Sequence, residues 1–176
     1  VNFQSQVTDN IRVGIQLLSR DVGPYGNNKI EVDWAYGNYE VNDMLNISVG
    51  KNKLILGLYS AYQDMDFLTP FAMMPSVIYE KGLRGFLNTT YGLSTGGNFD
   101  FNNAGNLDYS LSLGTMDFEN DDMEQYLKVL GVEESKSNTL DFAASANILY
   151  NTPLPGLKLN ATYLKMQNIS REKSKK

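Results

Sequence analysis

Neither histidine nor cysteine occurs anywhere in this chain of 176 residues. Without histidine there is no imidazole to act as a general base near neutral pH, no Ser-His-Asp triad, and none of the commonest transition-metal ligand. Without cysteine there is neither a disulfide framework nor a thiolate zinc site. Long hydrophobic runs are missing as well: no stretch approaches the roughly 18 consecutive apolar residues of a membrane-spanning helix. If the chain enters a bilayer, it does so as strands. An excess of cations is also lacking, with Lys and Arg numbering 15 against 20 Asp and Glu, a net charge of −5. That balance argues against nucleic acid as a partner, because the phosphate backbone rewards a basic face. The opening residues, VNFQSQVTDN, carry neither the charged nor the apolar stretch of a signal peptide. A leader is therefore expected to have been removed, or the chain to begin partway along a longer one. No cofactor is expected.

What is present is a period of two. Ile11, Val13, Ile15 and Leu17 alternate with Arg12, Gly14 and Gln16; Ile30, Val32, Trp34 and Tyr36 alternate with Glu31, Asp33, Ala35 and Gly37. The pattern returns at Leu45–Val49, from Tyr91 to Phe101, at Leu107–Leu113, at Leu140–Tyr150 and at Leu157–Tyr163. Repeated strict alternation predicts antiparallel sheet, here about seven strands. The second face carries Gly, Ser, Asn and Asp, where a soluble sheet would show Lys, Glu and Thr. Connection lengths alternate too, with short turns near 42–43, 102–105 and 151–156 and longer links near 20–28, 51–82 and 118–138. Both features predict an antiparallel transmembrane β-barrel with a wet interior. Residues 1–176 are expected to form a single, incomplete barrel portion, since seven strands do not match the even count of bacterial barrels. Trp34, Tyr36, Phe101, Tyr109, Tyr150 and Tyr163 are the candidates for a membrane-girdle set of aromatics. Glu31, Asp33, Asp108 and Lys158 are expected to face the lumen.

Several segments resemble the Gram-negative porin-like family that includes the phosphate-selective porins. They are Val49-Gly50-Lys51, Leu56-Gly57-Leu58-Tyr59, Asp64 through Pro70, Pro75 through Tyr79, Gly105 through Tyr109, and Pro153 through Leu159. The resemblance runs in order along most of the chain. It implies a sixteen-stranded, homotrimeric porin of the bacterial outer membrane whose third loop folds inward and narrows the lumen. The chain departs from the charged-ladder anion channels of that family in having no dense Arg/Lys series on the lumen side.

Residues 51–82 are thus the candidate constriction loop, with Asp64 and Asp66 opposed by Arg12, Lys81 and Arg84 across the channel. Opposed charges at a constriction set a transverse field that selects solutes by charge and dipole. Phe67, Phe71, Met73 and Met74 are expected to anchor the loop to the wall. Asn120 to Gly131, within the outward loop at 118–138, reads as one short helix, capped by Asn120 and ended by Gly131. The function expected is passive diffusion of small hydrophilic solutes or ions, with the lipid bilayer as the outer partner and no enzymatic step. The rivals are a non-conducting structural or adhesive barrel, a soluble β-barrel enclosing a small ligand, and, last, an outer-membrane enzyme.

Overall fold

The computed structural model describes residues 1–19, 30–58, 89–116 and 140–167. They form eight strands: β1 (Asn2–Gln6), β2 (Ile11–Leu18), β3 (Glu31–Asn42), β4 (Leu45–Lys53), β5 (Thr89–Asp100), β6 (Asn106–Met116), β7 (Leu140–Asn151) and β8 (Lys158–Gln167). All eight make one antiparallel sheet in chain order, with β1 and β8 at its two edges, so the sheet is not closed among the described residues. The only helical element there is a single 3-10 turn at Asn102–Ala104. The strand missed by alternation is β1, whose sequence NFQSQ offers one apolar residue and hence no period to read. The expected helix at Asn120–Gly131 lies outside the described residues, as do Asp64, Asp66, Lys81, Arg84 and the aromatic and Met side chains between them.

Because the sheet is a meander, connections alternate between its two ends. The four short ones, β1–β2, β3–β4, β5–β6 and β7–β8, all fall at one end, and the three long ones at the other. Each short turn has its own local chemistry. At the β3–β4 turn the Asn42 side chain accepts from the Met44 backbone N–H at 3.0 Å, an Asx-type closure that suits Asn in turns. The Asn10 side chain at the β1–β2 turn donates to the Glu40 carbonyl at 2.8 Å, tying that turn to β3.

Residues directly opposite one another in an antiparallel pair share a face, so the registers sort the side chains. One level reads Ile11, Tyr39, Ile47, Thr95, Leu111, Ala146 and Tyr163 from β2 to β8; the next reads Val13, Gly37, Val49, Leu93, Leu113, Ala144 and Lys165. This is an apolar face. The other side carries levels such as Asn38, Ser48, Ser94, Ser112, Ser145 and Leu164.

Burial is inverted relative to a soluble sheet. On the apolar face Val49 is 60%, Leu113 51% and Tyr163 62% exposed, whereas on the polar face Asn52 is 3%, Ser112 2% and Asn147 6% exposed. Across β3 to β7 the polar face is therefore the sheltered one. Part of the reason is a row of small residues, Gly50, Gly92, Gly114 and Ala143, which face one another across β4 to β7 on that side. A Cβ on Gly92 would stand 2.2 Å from the Leu113 carbonyl oxygen, and one on Gly50 would stand 2.3 Å from that of Ala35. Neighbouring backbone closes in on this face, as it does where glycines let a sheet bend.

Gly92→Ala should accordingly lower stability by about 1–3 kcal/mol, the usual cost of overpacking. Gly37→Ala, with nothing within 4 Å of its would-be Cβ, should leave the denaturant midpoint of the folded protein unchanged. Equal midpoints for the two variants would refute the close approach at Gly92.

A compact apolar cluster sits at the long-link end of the polar face: Leu54, Met116 and Ala143, flanked by Leu56 and Leu164. It forms because the chain leaving β4 turns over this face instead of continuing outward. Gly57 adopts a φ of +81°, a conformation open to glycine. Its N–H then donates to the Thr162 hydroxyl on β8 at 3.1 Å.

Candidate functional site

The polar face is laced by bonds between side chains on adjacent strands. Ser94 and Ser112 hydroxyls pair at 2.9 Å across β5 and β6. Asn98 donates to Asp108 at 2.6 Å, and Asn151 donates to the other oxygen of the same carboxylate at 3.0 Å, linking β5, β6 and β7. Asn147 accepts from both Asn160 at 2.8 Å and Thr162 at 2.7 Å. Asn52 reaches from β4 to the Gly92 carbonyl at 3.0 Å. Small amides and hydroxyls suit this task, because buried polar groups must find partners and short side chains fix them with little rotamer entropy.

Four side chains expected inside do lie on this side of the sheet. Asp108 is held by the two Asn donors just described, and Lys158 stands opposite Asn151. Glu31 pairs with Leu18 at the end of β2. Asp33 accepts from Gln16 at 2.9 Å. Arg12 also belongs to this face, where its Nε donates to Gln6 at 3.2 Å. The structure describes none of its expected partners at the constriction.

Trp34 and Tyr36 are a correction. The alternation placed them outward with Ile30 and Val32, but the register between β2 and β3 slips at Gln16/Leu17, so Gln16 faces Trp34 while Leu17 faces Val32. Asp33 is the extra residue of that bulge, and one extra residue reverses the facing of everything beyond it. Val32 therefore stays on the apolar face, while Trp34 and Tyr36 join Arg12, Gly14 and Gln16 on the polar one. The two rings stack there with centroids 5.3 Å apart and planes at 28°. Trp34 is buried, and its indole N–H has no partner among the described residues.

Beside this pair a trough of about 370 Å³ opens on the polar face, bordered by Arg12, Tyr36, Asn38, Glu40, Ser48 and Ser94 among others. The alternation gave no sign of it. The one available signal was the conflict of parity within β3, where even positions are aromatic at 34 and 36 but polar at 38 and 40.

The remaining aromatics sit at the apolar face or the short turns. Tyr109 and Tyr150 lie on the apolar face near the short-turn end. Each donates its phenol to the carbonyl of a neighbouring turn, Tyr109 to Met44 at 2.8 Å and Tyr150 to Ala104. Tyr109 also stacks on Phe99 at 5.6 Å. Phe101 belongs to the β5–β6 turn, and Tyr163 lies on the apolar face partway along β8. At the opposite end of that face Lys51 stands over the Tyr91 ring, 5.3 Å from its centroid. Searches against family models, curated proteins and solved structures return no match for this chain.

Proposed function

We propose that the chain forms part of the wall of an outer-membrane β-barrel, and that its polar face lines a water-filled channel for passive diffusion of small hydrophilic solutes or ions. The observation that carries this reading is the inverted burial: the Leu, Ile, Val and Tyr face is the open one, and the Ser, Asn and Gly face is the sheltered and hydrogen-bonded one. In water that arrangement leaves Leu, Ile, Val and Tyr side chains exposed side by side on one face, the kind of contiguous apolar patch that monomeric soluble proteins rarely show. Against lipid tails the same surface is satisfied. A soluble barrel holding a ligand inside would need the opposite, with its apolar side enclosed.

Three further features support it. Strands β2 to β8 hold 8 to 12 residues each, and a tilted strand needs about 9–11 to cross a bilayer. All short turns share one end, as in barrels with tight periplasmic turns and long outward loops. The apolar face ends in Tyr109 and Tyr150 at one border and in Lys51 and Tyr91 at the other, the amphipathic groups that settle at membrane–water interfaces. The inward start of the β4–β5 link over β8 fits a loop that narrows a channel. Assembly into a homotrimer belongs to the same proposal through the family resemblance.

The test is a planar-bilayer recording of the full-length protein under a salt gradient. Stable unitary steps are expected. Protein that is inserted, by protease protection and heat-modifiable migration, yet never conducts would overturn the channel and favour a structural or adhesive barrel.

A further inference from the structure

We infer that the trough beside Tyr36 is a binding subsite for a neutral sugar, which gives the channel a preferred class of solute and rests on the channel reading for its physiological route. The inference starts from the bulge at Asp33, which turns two aromatic rings onto a face otherwise made of amides and hydroxyls. Simple wall packing does not call for them there, because the apolar cluster of this face lies elsewhere, around Leu54 and Met116.

The rings are held in a defined pose. Trp34, 5% exposed, backs Tyr36 in the stack, and Gly14 makes room beneath both. A Cβ at position 14 would lie 3.0 Å from Trp34 Cζ3 and 3.3 Å from Tyr36 Cζ. Tyr36 is half-buried and borders the trough, so the stack presents an aromatic group to a cavity of small-ligand size.

The groups around that ring match a sugar in kind. A pyranose has a face of C–H bonds that packs on an aromatic ring and a rim of hydroxyls that both donate and accept. The rim here offers Arg12, Asn38 and Glu40, with Ser48 and Ser94 beyond. Apart from the contact of Arg12 Nε with Gln6, the side chains of Arg12, Asn38 and Glu40 have no hydrogen-bond partner among the described residues, so donors and acceptors remain to engage a ligand. The charged residues that line the trough balance in sign, Arg12 and Lys53 against Glu40 and Asp43. A free anion entering the trough would meet the carboxylate of Glu40, and a cation would meet the guanidinium of Arg12. A neutral polyol is penalised by neither and can bond to both.

Trp34 is the only tryptophan of the chain, so its emission reports directly on this site. The full-length protein, folded in a sugar-free detergent, should show a saturable change in emission on titration with glucose or maltose, with half-saturation in the millimolar range. Tyr36→Ala should weaken binding by roughly tenfold or more, the loss expected for removing one well-placed contact. Tyr163→Ala, on the opposite face, should leave it unchanged. If Tyr36→Ala does not fold, the pair Arg12→Gln and Glu40→Gln keeps both rings and must weaken binding by a similar factor. Conducting protein with no saturable response to either sugar overturns the subsite and leaves the channel standing. Saturable binding in inserted protein that does not conduct keeps the subsite and removes the channel. Binding that survives both sets of substitutions places the sugar elsewhere and overturns the assignment.

Discussion

Leu113→Arg is expected to destabilise the lipid-inserted protein by about 2–4 kcal/mol while leaving the strand's own pairing chemistry untouched. Leu113 is central on β6, lies between Leu93 and Ala144 across the sheet, and is 51% exposed. For a protein that lives in water, an arginine at such a site is a minor change, within about 0.5 kcal/mol either way, since no buried contact is lost. Against hydrocarbon the same residue near the bilayer midplane costs about 2–4 kcal/mol. The two environments thus predict different outcomes for one substitution. Refolding into lipid vesicles against a urea series reads it: a midpoint shift of that size supports a lipid-facing surface, whereas an unchanged midpoint would mean the apolar face meets something other than lipid. Val49→Arg, 60% exposed on the same level, should behave alike.

The parts of the fold legible in sequence were those governed by strict alternation. Strands β4 to β8 keep one parity through most of their length, so Leu, Ile and Ala on one side and Ser, Asn and Gly on the other could be read from spacing alone. Three of the four short turns were equally readable, because Asn, Gly and Pro announce the backbone angles they favour, while the β1–β2 turn went unread along with β1. What failed was β1, where only Phe3 breaks a polar run, and the facing of Trp34 and Tyr36. A bulge leaves almost no mark in composition. It changes pairing by a single residue, and its effect on facing emerges only when β2 and β3 are aligned with each other. Long-range proximity was also illegible: nothing in the residues from Leu54 to Gly57 announces that they lie against β8, a contact 105 positions away for Gly57 and Thr162.

That contact sets up the second large effect. Leu54 is 2% exposed and Met116 is fully buried, yet both belong to the polar face, so their burial depends on each other, on Ala143 and on the neighbouring link. Truncating large side chains in a packed cluster costs about 2–5 kcal/mol each, and the smallness of this cluster puts the expected loss near the lower end. The functional consequence follows from position. The cluster, together with the bond from Gly57 to Thr162, holds the start of the β4–β5 link against the polar face. Leu54→Ser combined with Met116→Ser removes the apolar reason for that link to stay there, while every side chain of the exposed apolar face is unchanged. Insertion should therefore survive, and unitary conductance should rise and become noisier as the link leaves the channel. Thr162→Val, which deletes the acceptor for Gly57 together with the hydroxyl's bond to Asn147, each at a cost of about 0.5–1.5 kcal/mol, should move conductance in the same direction by less. This response is opposite in kind to that of Leu113→Arg, which should reduce the number of channels by destabilising the inserted protein without changing the unitary conductance. Stability loss in the double variant with conductance unchanged would mean that the link braces the wall without narrowing the channel, and the inward fold would then carry no part of the transport.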